Sequence, residues 1–241
     1  MGSSKIIALV LLVSWRALAA PAEFEQGNQQ YDQGRFAEAK AAYEKLAADR
    51  DYSANLFYNL GNADVRLQDL GGALLNYERA LALDPHHPEA RANLAFVRGQ
   101  TGAQLEARGW EDSLLALDGN SSAVCAAIGV WVALGSLLAI FFLRGRENAL
   151  LGTLVSLGVL ASAYGAAGVW HSEKNREMAI VTAKRGEARF APADNSTLAD
   201  TLPTGSHVRI LNERGPWIYC ELPKGSRAWI SAAQIERIRP A

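Results

Sequence analysis

The chain has 241 residues, with 24 Lys and Arg against 25 Asp and Glu and a formal net charge of −1. That balance offers no basic footprint for nucleic acid, and no run of five or more like charges marks an interaction tail. Hydrophobic residues make up 49% of the chain, but unevenly: no side chain is charged between Asp118 and Arg144, nor between Glu147 and Glu173.

The N-terminus, "MGSSKIIALVLLVSWRALAAPAEF", carries Lys5, then an apolar stretch from Ile6 to Trp15. That stretch is too short to cross a bilayer, which takes ~20 residues. Ala17-Leu18-Ala19 follows with small residues where a signal peptidase reads. Residues 1–19 therefore read as a secretory signal cut after Ala19. The alternative is an uncleaved anchor, and in either case the following segment is exported.

Residues 23–104 contain two stretches in register at an offset of 34, "GNQQYDQGRFAEAKAAYEKLAAD" from Gly27 and "GNADVRLQDLGGALLNYERALALDP" from Gly61. Asn28 and Asn62, Ala39 and Ala73, and Tyr43 and Tyr77 repeat at the same offset. A 34-residue period with these small and aromatic positions, closed by a proline such as Pro85, is the tetratricopeptide (TPR) pattern. Each repeat is a helix pair whose apolar face only the next pair can cover, so the expectation is a short solenoid. "PEARANLAFVRGQ" starts a third copy, then loses the pattern, and reads as a capping helix.

The groove of such a stack is lined mainly by the first helix of each repeat. That projection selects Asn28, Tyr31, Asn55, Tyr58, Asn62, Arg66 and Phe96 as partner-binding candidates. Asn59 and Asn93 join them, at asparagine positions used by TPR proteins that grip a C-terminal carboxylate. Phe24 and Glu89 stand where that clamp would have cations, so a peptide in the groove fits better than a carboxylate clamp. The alternative role for the asparagines is to cap turns or support packing between helices.

After a linker (105–120) come two uncharged runs, Ser121 to Leu143 and Ala149 to Trp170. Each is long enough to cross a bilayer at ~1.5 Å per residue. The five-residue link Arg144–Asn148 makes them a hairpin. Gly129-x-x-x-Ala133, Gly158-x-x-x-Ser162 and Ala161-x-x-x-Gly165 place small residues one turn apart, which lets helices approach closely in lipid. No Asp, Glu, Lys, Arg or His lies inside either run, as an ion or proton pathway would require, so the hairpin reads as an anchor. Two crossings after an exported segment put the Arg144–Asn148 hinge in the cytoplasm, in keeping with Arg144 and Arg146. Both soluble parts then face the periplasm from the bacterial inner membrane.

From Met178 onward, short β-prone runs alternate with turn signals at Gly215-Pro216 and Pro223-Lys224-Gly225. About sixty residues (178–239) with five short strands suggest a small SH3-like barrel. In "WIYCEL", Trp217, Tyr219 and Glu221 share one face and Ile218, Cys220 and Leu222 the other. "APADNSTLADTLPTGSHVRILNERGPWIYCELPKGSRAWI" resembles bacterial SH3 domains at Pro192, Gly205, Trp217 and Ala228-Trp229-Ile230. The partner-binding candidates here are Pro192, Trp217 and Trp229; the alternative places both tryptophans in the barrel core and rim. Ser231 and Gln234 occupy places where a proline-peptide slot would have proline and tyrosine, which argues against proline-rich ligands.

No Gly-x-Ser-x-Gly, His-Glu-x-x-His or phosphate-binding loop occurs, so no enzyme, cofactor or metal is expected. His86-His87 reads as a solvated turn, and Cys125 and Cys220 as unpaired apolar residues. The expected fold class is thus multi-domain α plus β: a TPR solenoid, a two-helix transmembrane hairpin and a small all-β SH3-like barrel. That module order resembles the BatE family of bacterial aerotolerance proteins over nearly the whole chain. It does so most specifically in "FYNLGNADVRLQDLGGALLNYERALALDPHHPEARANLAFVR" and "WEDSLLALDGNSSAVCAAIGVWVALG". The resemblance implies a scaffold in a membrane complex with Bat proteins, some bearing von Willebrand factor A domains, alongside a MoxR-type ATPase, in oxygen or envelope stress tolerance. The runner-up is a cell-wall sensor whose barrel binds peptidoglycan.

Overall fold

The computed structural model describes residues 22–103, 119–142 and 149–239. The signal segment, most of the linker and the charged hinge lie outside the described residues. The chain divides into two compact units, one ending at Gly102 and the other beginning at Ala103.

The first unit contains five described helices: α1 (Ala22–Asp32), α2 (Phe36–Ala48), α3 (Ala54–Arg66), α4 (Leu70–Leu83) and α5 (Pro88–Thr101). Successive helices pack on one another. The 34-residue period recurs in the backbone itself. Gly34, Gln68 and Gly102 follow α1, α3 and α5, and all three adopt a left-handed conformation, with φ of 76°, 61° and 65°. The caps repeat too. Ser53 accepts a hydrogen bond from the Leu56 N–H at the start of α3, and His87, 34 positions on, accepts one from Ala90 N–H at the start of α5. The helix read as a cap thus starts and stops as the first helix of a third repeat.

Close approach explains the repeated spacing of small and aromatic residues. A Cβ on Gly27 would lie 2.5 Å from the Tyr43 ring, and one on Gly61 2.7 Å from the Tyr77 ring. Phe24 stacks on Tyr43 at 5.9 Å and Tyr58 on Tyr77 at 6.1 Å, again 34 residues apart. Tyr43 and Tyr77 are each 1% exposed, so the rings fill the gap between neighbouring helices. Leu74, Leu75, Ala73 and Ala80 are buried on several sides of α4.

His87 departs from the solvated-turn expectation. Only His86 is exposed; His87 is buried, its ring 4.9 Å from Tyr58, with Nε2 placed 3.3 Å from Asn55 Oδ1. Its Nδ1 caps α5, so His87→Ala is expected to cost about 1 kcal/mol of unit stability, read as a lowered midpoint in urea unfolding.

In the second unit, α6 (Gly119–Phe142) and α7 (Ala149–Arg176) pack along one seam. Ser122, Gly129, Ala133 and Ser136 of α6 are buried there, as are Gly158, Gly165, Gly168 and Ser172 of α7. A Cβ on Gly129 would sit 2.5 Å from Gly158 O, and one on Gly165 2.5 Å from Ala126 N, so the backbones themselves touch. Ser162 Oγ donates to Gly158 O at 2.8 Å within α7 and lies 3.3 Å from Ala126 O across the seam. Away from the seam the large side chains are bare, Trp131 at 74% and Phe142 at 74% exposed. Both helices are long and apolar enough to cross a membrane. The α7 helix runs six residues beyond Trp170, and Glu177 alone separates it from the first strand.

Seven strands follow: β1 (Met178–Val181), β2 (Arg185–Arg189), β3 (Leu198–Pro203), β4 (His207–Arg214), β5 (Trp217–Glu221), β6 (Arg227–Ser231) and β7 (Ile235–Arg237). They form one antiparallel sheet in the order β3-β2-β6-β5-β4-β1-β7, with β3 and β7 as open edges. Two points of the sequence expectation are corrected here. There are seven strands rather than five, because "GEA" and "LADTLP" pair despite weak β propensity, and the hydrogen-bonded ring is not closed. The sheet nevertheless curls around one core, in which Leu202 of β3 and Ile235 of β7 meet Val181, Val208, Cys220 and Ile230. Gln234 spans the gap between the β1 and β2 segments: its backbone oxygen accepts from Thr182 and Ala183 N–H, and its side-chain oxygen accepts from Glu187 N–H.

Candidate functional site

The most regular polar structure in the chain runs along the first helices of the repeats. Asn28 Oδ1 accepts from Tyr43 OH at 2.8 Å and from Asn59 Nδ2 at 2.9 Å. One repeat later, Asn62 Oδ1 accepts from Tyr77 OH at 2.7 Å and from Asn93 Nδ2 at 3.0 Å. Two donors on each oxygen fix both amide orientations. The tyrosine hydroxyls stay protonated: burial, above all, pushes Tyr43 up to about 12 and raises Tyr77 as well.

The geometry gives Asn59 and Asn93 a definite job. Each spends an amide hydrogen on the preceding repeat's asparagine, so these side chains brace α1 to α3 and α3 to α5. Asn28, Tyr31, Asp32, Tyr43, Asn59 and Asn62 line a cleft of about 370 Å³. Tyr31 packs edge-on against Phe36 at 5.1 Å, and the Arg66 guanidinium lies 4.4 Å over the same ring. Asn55 and Tyr58 turn instead to His87. Phe96 holds the ladder position of Asn28 and Asn62 in the third copy, where it ends the row and is 67% exposed. The contribution of the tyrosine hydroxyls was not read from the sequence, although the 34-residue offset of both Asn–Tyr pairs carried the signal. Replacing Tyr77 by Phe keeps the ring on Gly61 and removes one donor. The expected loss is about 1 kcal/mol, read from the urea unfolding midpoint.

A second polar cluster ties α2 to the next repeat, and sequence reasoning missed it because it breaks the period. Asp64 is fully buried, with Lys40 Nζ 2.6 Å from its Oδ1 and Asn76 Nδ2 2.7 Å from its Oδ2. Lys40 also reaches Asp69 at 3.0 Å, which caps α4 through Gly72 N–H. Burial pushes Asp64 up to about 6 against the pull of Lys40 and Asn76. Burial also opposes charge on Lys40 and Asp69, but the hydrogen bonds win there. Lys40 is raised, and Asp69 is lowered by Gly72 N–H and Lys40.

On the sheet, a row crosses five strands on the side away from the core: Leu198, Arg189, Trp229, Tyr219 and Asn212 are successive cross-strand partners. Tyr219 and Trp229 stack at 5.0 Å, and Arg189 is held by Glu187 at 2.5 Å and Ser196 O at 2.6 Å. Trp217 lies on β5 opposite Ser231, two residues from Tyr219. Pro192 sits in the loop between β2 and β3. Trp217 and Trp229 are both partly exposed, in contrast to Cys220, whose thiol burial pushes up to about 12 and leaves unreactive. No group of three or more His, Cys, Asp or Glu with metal-ligand geometry occurs among the described residues.

The TPR repeat family matches residues 61–102, the second repeat and α5. The chain is also 38% identical over 109 residues to the "Probable biofilm formation methyltransferase WspC" of Pseudomonas aeruginosa. That match covers 43% of this chain and 25% of the relative, so the chain spans about a quarter of the relative's length. The helical unit therefore contains TPR repeats, an architecture that points to protein–protein interaction.

Proposed function

We propose that the chain is a non-enzymatic, membrane-anchored adaptor that holds a partner protein segment in its TPR groove. The carrying observation is the asparagine–tyrosine ladder. It spends side-chain polarity on rigidity, so the groove is set before a ligand arrives and little ordering cost remains at binding. A row of amides, with Tyr31, Arg66 and Asp32 nearby, suits the polar backbone of an extended segment. We read the likeness to the methyltransferase as one of the repeat module, with no transferase chemistry carried over.

The bare apolar flanks of α6 and α7 support the anchor, since such surface in water would drive aggregation. The curled sheet supports an SH3-like domain despite its open edges. With the module order, these features favour the BatE-like setting: an inner-membrane protein with both soluble parts in the periplasm, partnering Bat proteins and a MoxR-type ATPase system in stress tolerance. The aromatic row favours one second reading, in which the sheet contacts peptidoglycan through Trp229 and Tyr219.

The test purifies the full chain in mild detergent after crosslinking. A reproducible partner recovered by the wild type and lost on Arg66→Glu with Tyr31→Ala is the expected result. Recovery of the same proteins by both, or of none, overturns the adaptor reading. Binding of the full chain to purified sacculi, abolished by Trp229→Ala, would favour the second. Resistance to alkaline extraction tests the anchor, and a periplasm-dependent reporter active after Ala241 but silent near Arg146 tests its orientation.

A further inference from the structure

The junction of α7 with the sheet forms a cleft of about 550 Å³, whose lining includes Lys174, Glu177, Arg209, Leu211, Glu213 and Arg237. Its position is set by the helix. At ~1.5 Å per residue, Lys174 lies ~6 Å and Glu177 ~10 Å past Trp170. With Trp170 at the edge of the apolar span, that is the depth of the headgroup layer. The sheet is held at this depth by short links. Ile210 N–H donates to Glu177 O at 2.8 Å, and Arg239 Nη1 donates to Ser172 Oγ at 3.1 Å.

The lining carries both signs of charge. Arg237 bonds Glu177 Oε2 at 3.0 Å and Glu213 Oε1 at 2.6 Å, engaging one oxygen of each carboxylate. Lys174 lies 5.8 Å over the Trp170 ring, on the membrane side. Three cations face Glu177, Glu213 and the partial negative charge of a helix C-terminus, and Arg209 is also paired with Glu221 Oε2 at 3.2 Å, so the cleft is close to neutral and has no strong pull on a simple anion. The register shift between Ile210 and Asn212 leaves Leu211 as an extra residue in β4, and this apolar side chain is 41% exposed on the cleft lining.

We propose that this cleft seats the zwitterionic, primary-amine headgroup of a phospholipid from the leaflet that α7 leaves. The phosphate meets Lys174 and Arg209. The ammonium donates to Glu213 and Glu177, and Leu211 rests against the upper acyl chain. A choline headgroup has no N–H to donate and fits worse. An anionic headgroup without an amine leaves the carboxylates unmatched.

This inference rests on the membrane reading, and the two fail separately: release of the chain by alkaline extraction removes the anchor itself. For an integral chain, the full-length protein in mild detergent is titrated with phosphatidylethanolamine, phosphatidylcholine or phosphatidylglycerol, and bound lipid is counted by native mass spectrometry. The expected result is one ethanolamine lipid retained in preference to the other two. Lys174→Gln is expected to weaken that binding about fivefold, and Glu213→Gln to abolish the preference over choline. Equal retention of ethanolamine and choline lipids, stronger retention of phosphatidylglycerol, or unchanged selectivity in both variants overturns the proposal. So does full displacement by millimolar glycerophosphoethanolamine, which would assign the cleft to a soluble headgroup.

Discussion

Lys40→Met is expected to destabilise the helical unit by about 3–5 kcal/mol near neutral pH, the range for removing one partner of a buried ion pair. The cause is what remains behind. Asp64 is fully buried, and without Lys40 its charge keeps only the Asn76 amide. The loss should shrink on acidification. Asp64 already sits at about 6 in the folded chain, above its ordinary 3.8. A group raised in this way contributes stability that is fully present below the unfolded value, and that contribution is lost as pH rises through the folded value. Removing the Lys40 pull raises the folded value further, so the window extends upward from about 4 to beyond 6.

Asp69 acts with the opposite sign, because its folded value is lowered and its contribution is lost as pH falls. Urea unfolding of wild type and variant at pH 5 and pH 8 separates the effects. The gap between the two proteins should be clearly smaller at pH 5. A gap that is constant or wider at pH 5 would show that Asp64 is not the buried charge that matters.

Gly129→Leu should open the helix hairpin. Overpacking that neighbours can absorb costs ~1–3 kcal/mol. Here the obstacles are the Gly158 carbonyl at 2.5 Å and the Ser162 amide nitrogen at 2.6 Å, both backbone, so the helices must separate along the seam. The expected cost is at the top of that range or above, about 3 kcal/mol. Gly135→Leu on the same helix is the control, since a Cβ there meets nothing within 4 Å. Detergent-titration unfolding of the purified chain should show an early transition for the first variant and a wild-type transition for the second. Matching curves for the two variants would rule out the close seam.

The contrast between those positions shows what local pattern can reveal. Gly129, Gly158 and Gly165 were legible as small residues one turn apart, and the structure brings all three into the seam, because helical periodicity places such residues on one face whatever surrounds them. Likewise the 34-residue offset predicted which helices would line a groove, and the left-handed residues at Gly34, Gln68 and Gly102 show the same period in the backbone.

What each groove residue touches was less accessible. Asn59 matched a binding position by spacing, yet one of its two amide hydrogens is spent on Asn28 from the preceding repeat. A polar side chain does not declare whether it will bond a ligand or a neighbour until the neighbour's distance is known. Lys40, Asp64, Asp69 and Asn76 were invisible for a related reason: their pairing does not repeat, so no period flagged it.

The sheet marks the sharper limit. Alternation in "WIYCEL" correctly put Cys220 and Leu222 inside and Trp217 and Tyr219 on the other face, because side chains alternate along any strand. By itself, then, the sequence determined the repeat period, the two apolar spans and the sidedness of individual strands, all properties of a segment and its own geometry. The tertiary structure alone decided the strand count and order, the five-strand row from Leu198 to Asn212 and the cleft where α7 meets β4. Each of these depends on which distant segments pair, and pairing energy is shared between residues that no local spacing connects.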